Sequence, residues 1–122
     1  MIVRPLKGVD AFTAALRTGR RVAEGPATLS FIKGTEQASL PILLLGVTVS
    51  KKIAPNAVVR TRIRRLLREA VRTFVGQHHQ AILESRITTM ILTWRQAPSK
   101  PSLIHLSDVE PVVHALLTKA LG

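Results

Sequence analysis

The sequence predicts an α+β fold, a single domain of 122 residues in which a three- or four-stranded sheet is covered by helices. Three observations lead there. Short stretches rich in Val, Ile, Leu and Thr recur at 27–33, 40–49 and 86–94, each bounded by Gly, Pro or polar residues as strands are. Around them, segments at 8–18, at 57–76 and from Ser107 onward space their apolar residues three and four apart, the period of a helix. Apolar residues make up 46% of the chain and charged residues 20%, a composition that folds around a core instead of forming a disordered basic tail.

The first helix carries Val9, Phe12, Ala15 and Leu16 at helical spacing, has Asp10 early, and meets Gly19 as a stop. A basic turn over 17–21 and the pair Gly25-Pro26 lead to the strand at 27–33, with room for one more short strand near 20–24. A polar loop over 33–39 then joins the run LPILLLGVTV, a long buried strand whose Pro41 is tolerated at the strand entrance. Pro55 closes the next loop, Asn56 is a good N-cap, and the helix runs 57–76 to a stop at Gly76. After the strand at 86–94 comes a loop over 96–102 fixed by two prolines. The last helix starts at Ser107, with Ser107 and Glu110 as a capping box and Val109, Val112, Val113, Leu116 and Leu117 as its apolar stripe. The order is α-β-β-α-β-α. If the strands flanking the long helix are parallel neighbours, that helix is a β-α-β crossover.

Charge narrows the function. Eighteen Lys and Arg against seven Asp and Glu give a formal net charge of +11. Such an imbalance repels itself, and a polyanionic partner is the usual reason that it is tolerated. The excess concentrates on the long helix. At 100° per residue, Ile63, Leu66, Leu67, Ala70, Val71 and Phe74 form one stripe, and Arg62, Arg64, Arg65, Arg68 and Arg72 occupy the opposite face. Arg60 sits at the stripe's edge in the first turn. Solubilising faces mix signs, whereas this helix has six Arg, no Lys and one acid, Glu69. Arg is also the better planar fork for phosphate. Arg60 and Arg62 lie where the helix dipole disfavours cations, a placement that makes sense if an anion sits there. A groove-reading helix normally follows a short helix across a tight turn. This one follows a buried strand and a loop, a setting that suits RNA shape and backbone recognition better than DNA.

The run Gly46-Val47-Thr48-Val49-Ser50-Lys51-Lys52, followed by Arg60-Thr61-Arg62-Ile63-Arg64-Arg65-Leu66-Leu67-Arg68-Glu69, resembles the signature of the protein subunit of bacterial ribonuclease P. In that family a strand ends in a paired lysine, a short loop follows, and an Arg-Asn-Arg helix begins. The match is specific over 46–74 and extends more weakly over nearly the whole chain. It implies one RNA-binding domain across 1–122, folded as a two-layer α/β sandwich of the ribosomal-protein-S5-domain-2-like type. The implied order is α-β-β-(β)-α-β-α, with a left-handed β-α-β crossover holding the basic helix. It also implies a subunit of the ribonucleoprotein that cleaves the 5′ leader from precursor tRNA. In that enzyme the RNA subunit carries the chemistry and holds most of the magnesium. Carried over by position, Lys51, Lys52, Asn56, Arg60, Thr61, Arg62, Arg64, Arg65 and Arg68 would bind the RNA subunit. Phe12, Leu16, Arg17 and Phe31 would line the cleft that holds the leader. Thr61 stands where the family has Asn, and Leu16 where a second aromatic is usual.

Nothing else in the chain suggests chemistry of its own. With no cysteine, disulfides and thiolate metal sites are excluded. His78 and His79 are adjacent and diverge, His105 and His114 are lone residues, and the carboxylates are scattered, so neither a catalytic nor a metal-binding residue is expected. Trp94 reads as core. The longest apolar run is ten residues, too short to span a bilayer as a helix, and MIVRPLKGVDAF holds no run of signal-peptide length. The expectation is a cytoplasmic protein that partners ribonuclease P RNA and precursor tRNA, and neither membrane nor DNA. Two rivals are a stand-alone RNA- or DNA-binding regulator, which would not stimulate cleavage, and a stand-alone nuclease, which would cleave without RNA.

Overall fold

The computed structural model describes residues 2–34, 42–97 and 104–122. The elements are β1 (Ile2–Pro5), α1 (Val9–Thr18), β2 (Arg20–Glu24), β3 (Ala27–Lys33), β4 (Ile42–Val49), α2 (Ala57–Gln77), α3 (His79–Ser85), β5 (Ile87–Trp94) and α4 (Leu106–Leu121). The strands form one five-stranded sheet in the order β1-β4-β5-β3-β2. β1 and β5 both pair parallel to β4, while β3 pairs antiparallel to β5 and to β2. The strands flanking α2 are therefore parallel neighbours, and α2 lies in the expected β-α-β crossover. The expected loop beyond Gly34, Pro41 and most of the 96–102 loop lie outside the described residues.

Strand alternation sends the two faces of the sheet to different tasks. Ala27, Leu29 and Phe31 of β3, Leu43, Leu45, Val47 and Val49 of β4, and Met90, Leu92 and Trp94 of β5 enter one large core with the buried stripes of α2 and α4. The alternate residues face α1. There Leu6, Ala15 and Ile91 form a second, small core, with Phe12, Ile32 and Leu44 packed against it. The sheet is thus the middle of three layers, α1 on one side and α2 and α4 on the other, where two layers were expected.

Several boundaries differ from the sequence reading for identifiable reasons. β1 was not expected. Its four residues include Pro5 and lie at the sheet edge, so its existence depends on pairing with β4 and not on local pattern. The short strand near 20–24 is present as β2. α2 passes through Gly76, which does not stop it, and ends at His78, whose N–H bonds the carbonyl of Phe74. α3 was also unexpected, because seven residues with the single buried anchor Ile82 carry too little periodicity to read. It ends at Arg86, which takes the left-handed conformation (φ 62°), so β5 begins one residue later than expected. α4 starts at Leu106, not Ser107. The Asp108 carboxylate accepts from the N–H of His105 at 2.8 Å, which moves the cap two residues upstream of the expected Ser107-Glu110 box.

One close contact fixes α1 on the sheet. Gly46 lies on the α1 face of β4, and a Cβ there would come within 2.6 Å of Phe12 Cζ and 2.7 Å of Cε1. The ring rests directly on the strand backbone, which only glycine permits. Gly46→Ala is therefore expected to destabilise the fold by about 1–3 kcal/mol through overpacking. In a Phe12→Ala background the same substitution should cost much less. Chemical denaturation of the four proteins in this cycle measures the coupling, and strictly additive costs would contradict the seating of the ring.

Candidate nucleic-acid interface

The basic helix is anchored by what it buries. Ile63, Leu66, Leu67, Ala70, Val71, Phe74 and Val75 are all within the large core. That pins the opposite face outward. Arg65, Arg68 and Arg72 are exposed, and Arg60, Arg62 and Arg64 are half-buried.

The loop that feeds the helix is braced by its own hydrogen bonds. After β4 the chain turns at Ser50, whose carbonyl accepts from the N–H groups of Ile53 and Ala54 at 3.1 and 3.0 Å. Lys51 and Lys52 sit exposed on this turn, while Ile53 and Ala54 pack toward the core. Asn56 caps α2, its Oδ1 accepting from Val58 N at 2.8 Å and Val59 N at 3.4 Å.

The arginines of the motif then divide. Arg60 Nη1 donates to the carbonyls of Ala54 (2.8 Å) and Pro55 (2.9 Å), which tie the loop to the first turn of the helix. Those carbonyls offset the dipole's aversion to a cation at this end, so Arg60 does not require an external anion to be tolerated there. Arg62 Nε donates to the carbonyl of Ile104 at 2.9 Å, holding the segment before α4 against α2. Arg64 Nη2 donates to the hydroxyl of Thr61 at 3.3 Å. Among the described residues no hydrogen bond or ion pair engages Arg65, Arg68 or Arg72. Arg72 lay on the basic face of the helical wheel but outside the motif, and so was not among the expected site residues. At the start of the helix, Ala57, Val58, Thr61, Arg62 and Arg65 line a shallow hollow of about 370 Å³.

The expected cleft residues fall on two sides of the sheet. Phe12 is half-buried on Gly46, and Leu16 (56% exposed) and Arg17 project from α1 into solvent. Phe31 does not join them, which corrects the expectation. It shares a face of β3 with Ala27 and Leu29 and is only 4% exposed in the large core, because that core takes the bulkier of the strand's two alternating sets. The residues that do share the α1 face come from register. Thr28 pairs with Thr93, which pairs with Thr48, and the Thr48 hydroxyl donates to Thr93 Oγ1 at 3.0 Å. In the neighbouring row Arg21 lies opposite Ser30 on the same face. These hydroxyls were legible only once the strand pairing was known.

Two histidines pack on one ring. His78 stacks on Phe74 at 4.2 Å between ring centroids, and His114 meets the same ring edge-on at 5.3 Å. Trp94 is core. Among the described residues no group of three or more His, Cys, Asp or Glu could hold a metal ion. No helix among them is long and apolar enough to cross a membrane.

Comparison with known proteins gives one consistent result. A family model described as ribonuclease P matches residues 3–103. The chain is 31% identical over 104 residues to a ribonuclease P protein component of Bacillus cereus, covering 83% of this chain and 85% of that one. It is 42% identical over 66 residues to the corresponding component of Brevibacillus brevis, covering 54% of this chain and 49% of that one. Its fold is similar to that of the Staphylococcus aureus RNase P protein, with a TM-score of 0.64 at 21% identity over 95% of this chain and 94% of the other.

The division among the arginines is measurable. Asn56→Ala and Arg62→Ala should each lower the melting temperature by about 2–5 °C, from a lost cap and a lost hydrogen bond respectively. Arg65→Ala should leave it within about 1 °C of the parent. Equal shifts for Arg62 and Arg65 in thermal melts would contradict the bracing.

Proposed function

The chain belongs to the ribonuclease P protein family, and from that premise we propose that it works as the RNA-binding subunit of the tRNA 5′-processing enzyme. In this reading α2 docks its arginine face on the ribonuclease P RNA, and the groove beside α1 takes the 5′ leader of precursor tRNA. The observation that carries it is the outward row of guanidinium groups on a helix whose other face is sealed in the core. Each phosphate that such a row neutralises releases condensed counterions, so affinity comes largely from a salt-dependent, sequence-independent term. Lys51 and Lys52 extend the same positive surface at the start of the helix.

In the groove, the Phe12 ring and Leu16 offer apolar surface to a base, Arg17 and Arg21 offer charge to the backbone, and the Thr48 and Thr93 hydroxyls offer donors and acceptors. With only one aromatic on α1, leader contacts rest more on cations and apolar surface than on stacking. The protein positions substrate and screens charge, and the magnesium-dependent cleavage is carried by the RNA subunit. The same reading takes the fold as the ribosomal-protein-S5-domain-2-like class with a left-handed β4-α2-β5 crossover, and the protein as cytoplasmic.

The decisive assay compares cleavage of a precursor tRNA by protein alone, by ribonuclease P RNA alone at high magnesium, and by both at moderate magnesium. Cleavage is expected from the second and third and not from the first. Activity of the protein alone would assign the chemistry to the protein, and failure to stimulate the RNA would leave a regulator. For the groove, combining Leu16→Ala with Arg17→Ala should weaken binding of leader-bearing substrate several-fold more than binding of mature tRNA. Equal losses would place the leader elsewhere.

A further inference from the structure

We propose that the RNA-contacting surface of α2 does not end with the motif at Arg68. It continues through Arg72 to a hollow at the far end of the helix, where the RNA backbone passes close over Gly76. The proposal rests on the reading of α2 as the helix that docks on RNA, and extends it to residues outside that motif.

Spacing supplies the first argument. Arg65, Arg68, Arg72 and Gly76 follow one another at three or four residues, so they lie along one side of the helix over about 16 Å. The second is availability. Arg60, Arg62 and Arg64 are engaged within the chain, whereas Arg65, Arg68 and Arg72 are exposed and, among the described residues, bound to nothing. The only acid on α2 is Glu69, exposed and without an ion pair among the described residues. A row of cations that the fold does not use matches an extended polyanion in charge and length.

Gly76 supplies the independent argument. It is exposed, lies within the helix, and a Cβ built on it would meet nothing within 4 Å. Among the described residues no turn and no packed neighbour requires glycine there, yet glycine weakens a helix relative to alanine. What the missing side chain provides is open access to the helix backbone, on the side where the arginine row ends. Val3, Arg72, Val75, Gly76 and His79 line a hollow of about 400 Å³ at this point, with a cation and, among the described residues, no acid in its wall. Such a recess accepts a ribose-phosphate segment running on from Arg68.

The test titrates the full chain onto ribonuclease P RNA at several salt concentrations, with thermal melts alongside. Arg72→Ala should reduce the slope of log affinity against log salt by about 0.9 and leave the melting temperature unchanged. Gly76→Ala should raise the melting temperature by about 2–4 °C and yet weaken RNA binding several-fold, a combination that a purely structural glycine would not produce. An unchanged slope for Arg72→Ala, or a stabilised Gly76→Ala protein that binds as tightly as the parent, would overturn the extension. Arg65→Ala separates the two levels. If it lowers the slope and Arg72→Ala does not, the extension alone fails, and if neither does, the docking role of α2 fails with it.

Discussion

The parallel pairing of β4 with β5 is the constraint on which the rest of the molecule hangs. Two neighbouring parallel strands cannot be joined by a hairpin, so the chain must leave the end of β4, cross the sheet and return. That crossing element is α2. The sheet decides which face it hides, and the arginines take what remains. The repulsions this creates are small. Like-charged pairs at i,i+3 and i,i+4, such as Arg65 with Arg68 and Arg68 with Arg72, cost about 0.2–0.5 kcal/mol each. Each large side chain of the buried stripe contributes roughly 1.5–3 kcal/mol. Burial wins by a wide margin, so the helix can carry a cationic wall without aid from its partner.

Much of this was legible in the sequence, because periodicity reports burial directly. The stripe from Ile63 to Phe74 had enough residues to reveal its period, and the apolar runs of β4 and β5 were long and β-branched enough to read as strands. Where the pattern was short or the cause was tertiary, the reading lost its grip. β1 exists because β4 offers it an edge, and α3 because Ile82 finds a place in the core. Phe31 shows the limit most plainly. A strand has two faces related by a shift of one residue, and only the packed structure decides which one meets α1.

The site was legible in composition and less so in use. Counting arginines on a helical face locates a cationic surface, but it cannot tell a guanidinium that holds the protein together from one that is available. Arg60 and Arg62 reach backbone carbonyls that belong to other segments, and those partners lie six and forty-two residues away. Helix geometry alone cannot foresee them. The same bonds make the loop, the cap and the first turns of α2 one braced unit, so the surface is set before any partner arrives.

The two cores differ greatly in size, and that asymmetry has a consequence for motion. Between the sheet and α2 and α4, burial is extensive. Among the described residues, the core beneath α1 buries just Leu6, Ala15 and Ile91. Opening free energies follow such differences. The amides of α1 should therefore exchange with solvent through a subglobal opening that leaves β4, β5 and α2 protected. The α1 face of the sheet is then bounded by one rigid wall and one that breathes, so contacts made between them can adjust on the α1 side without disturbing the β4-α2-β5 unit.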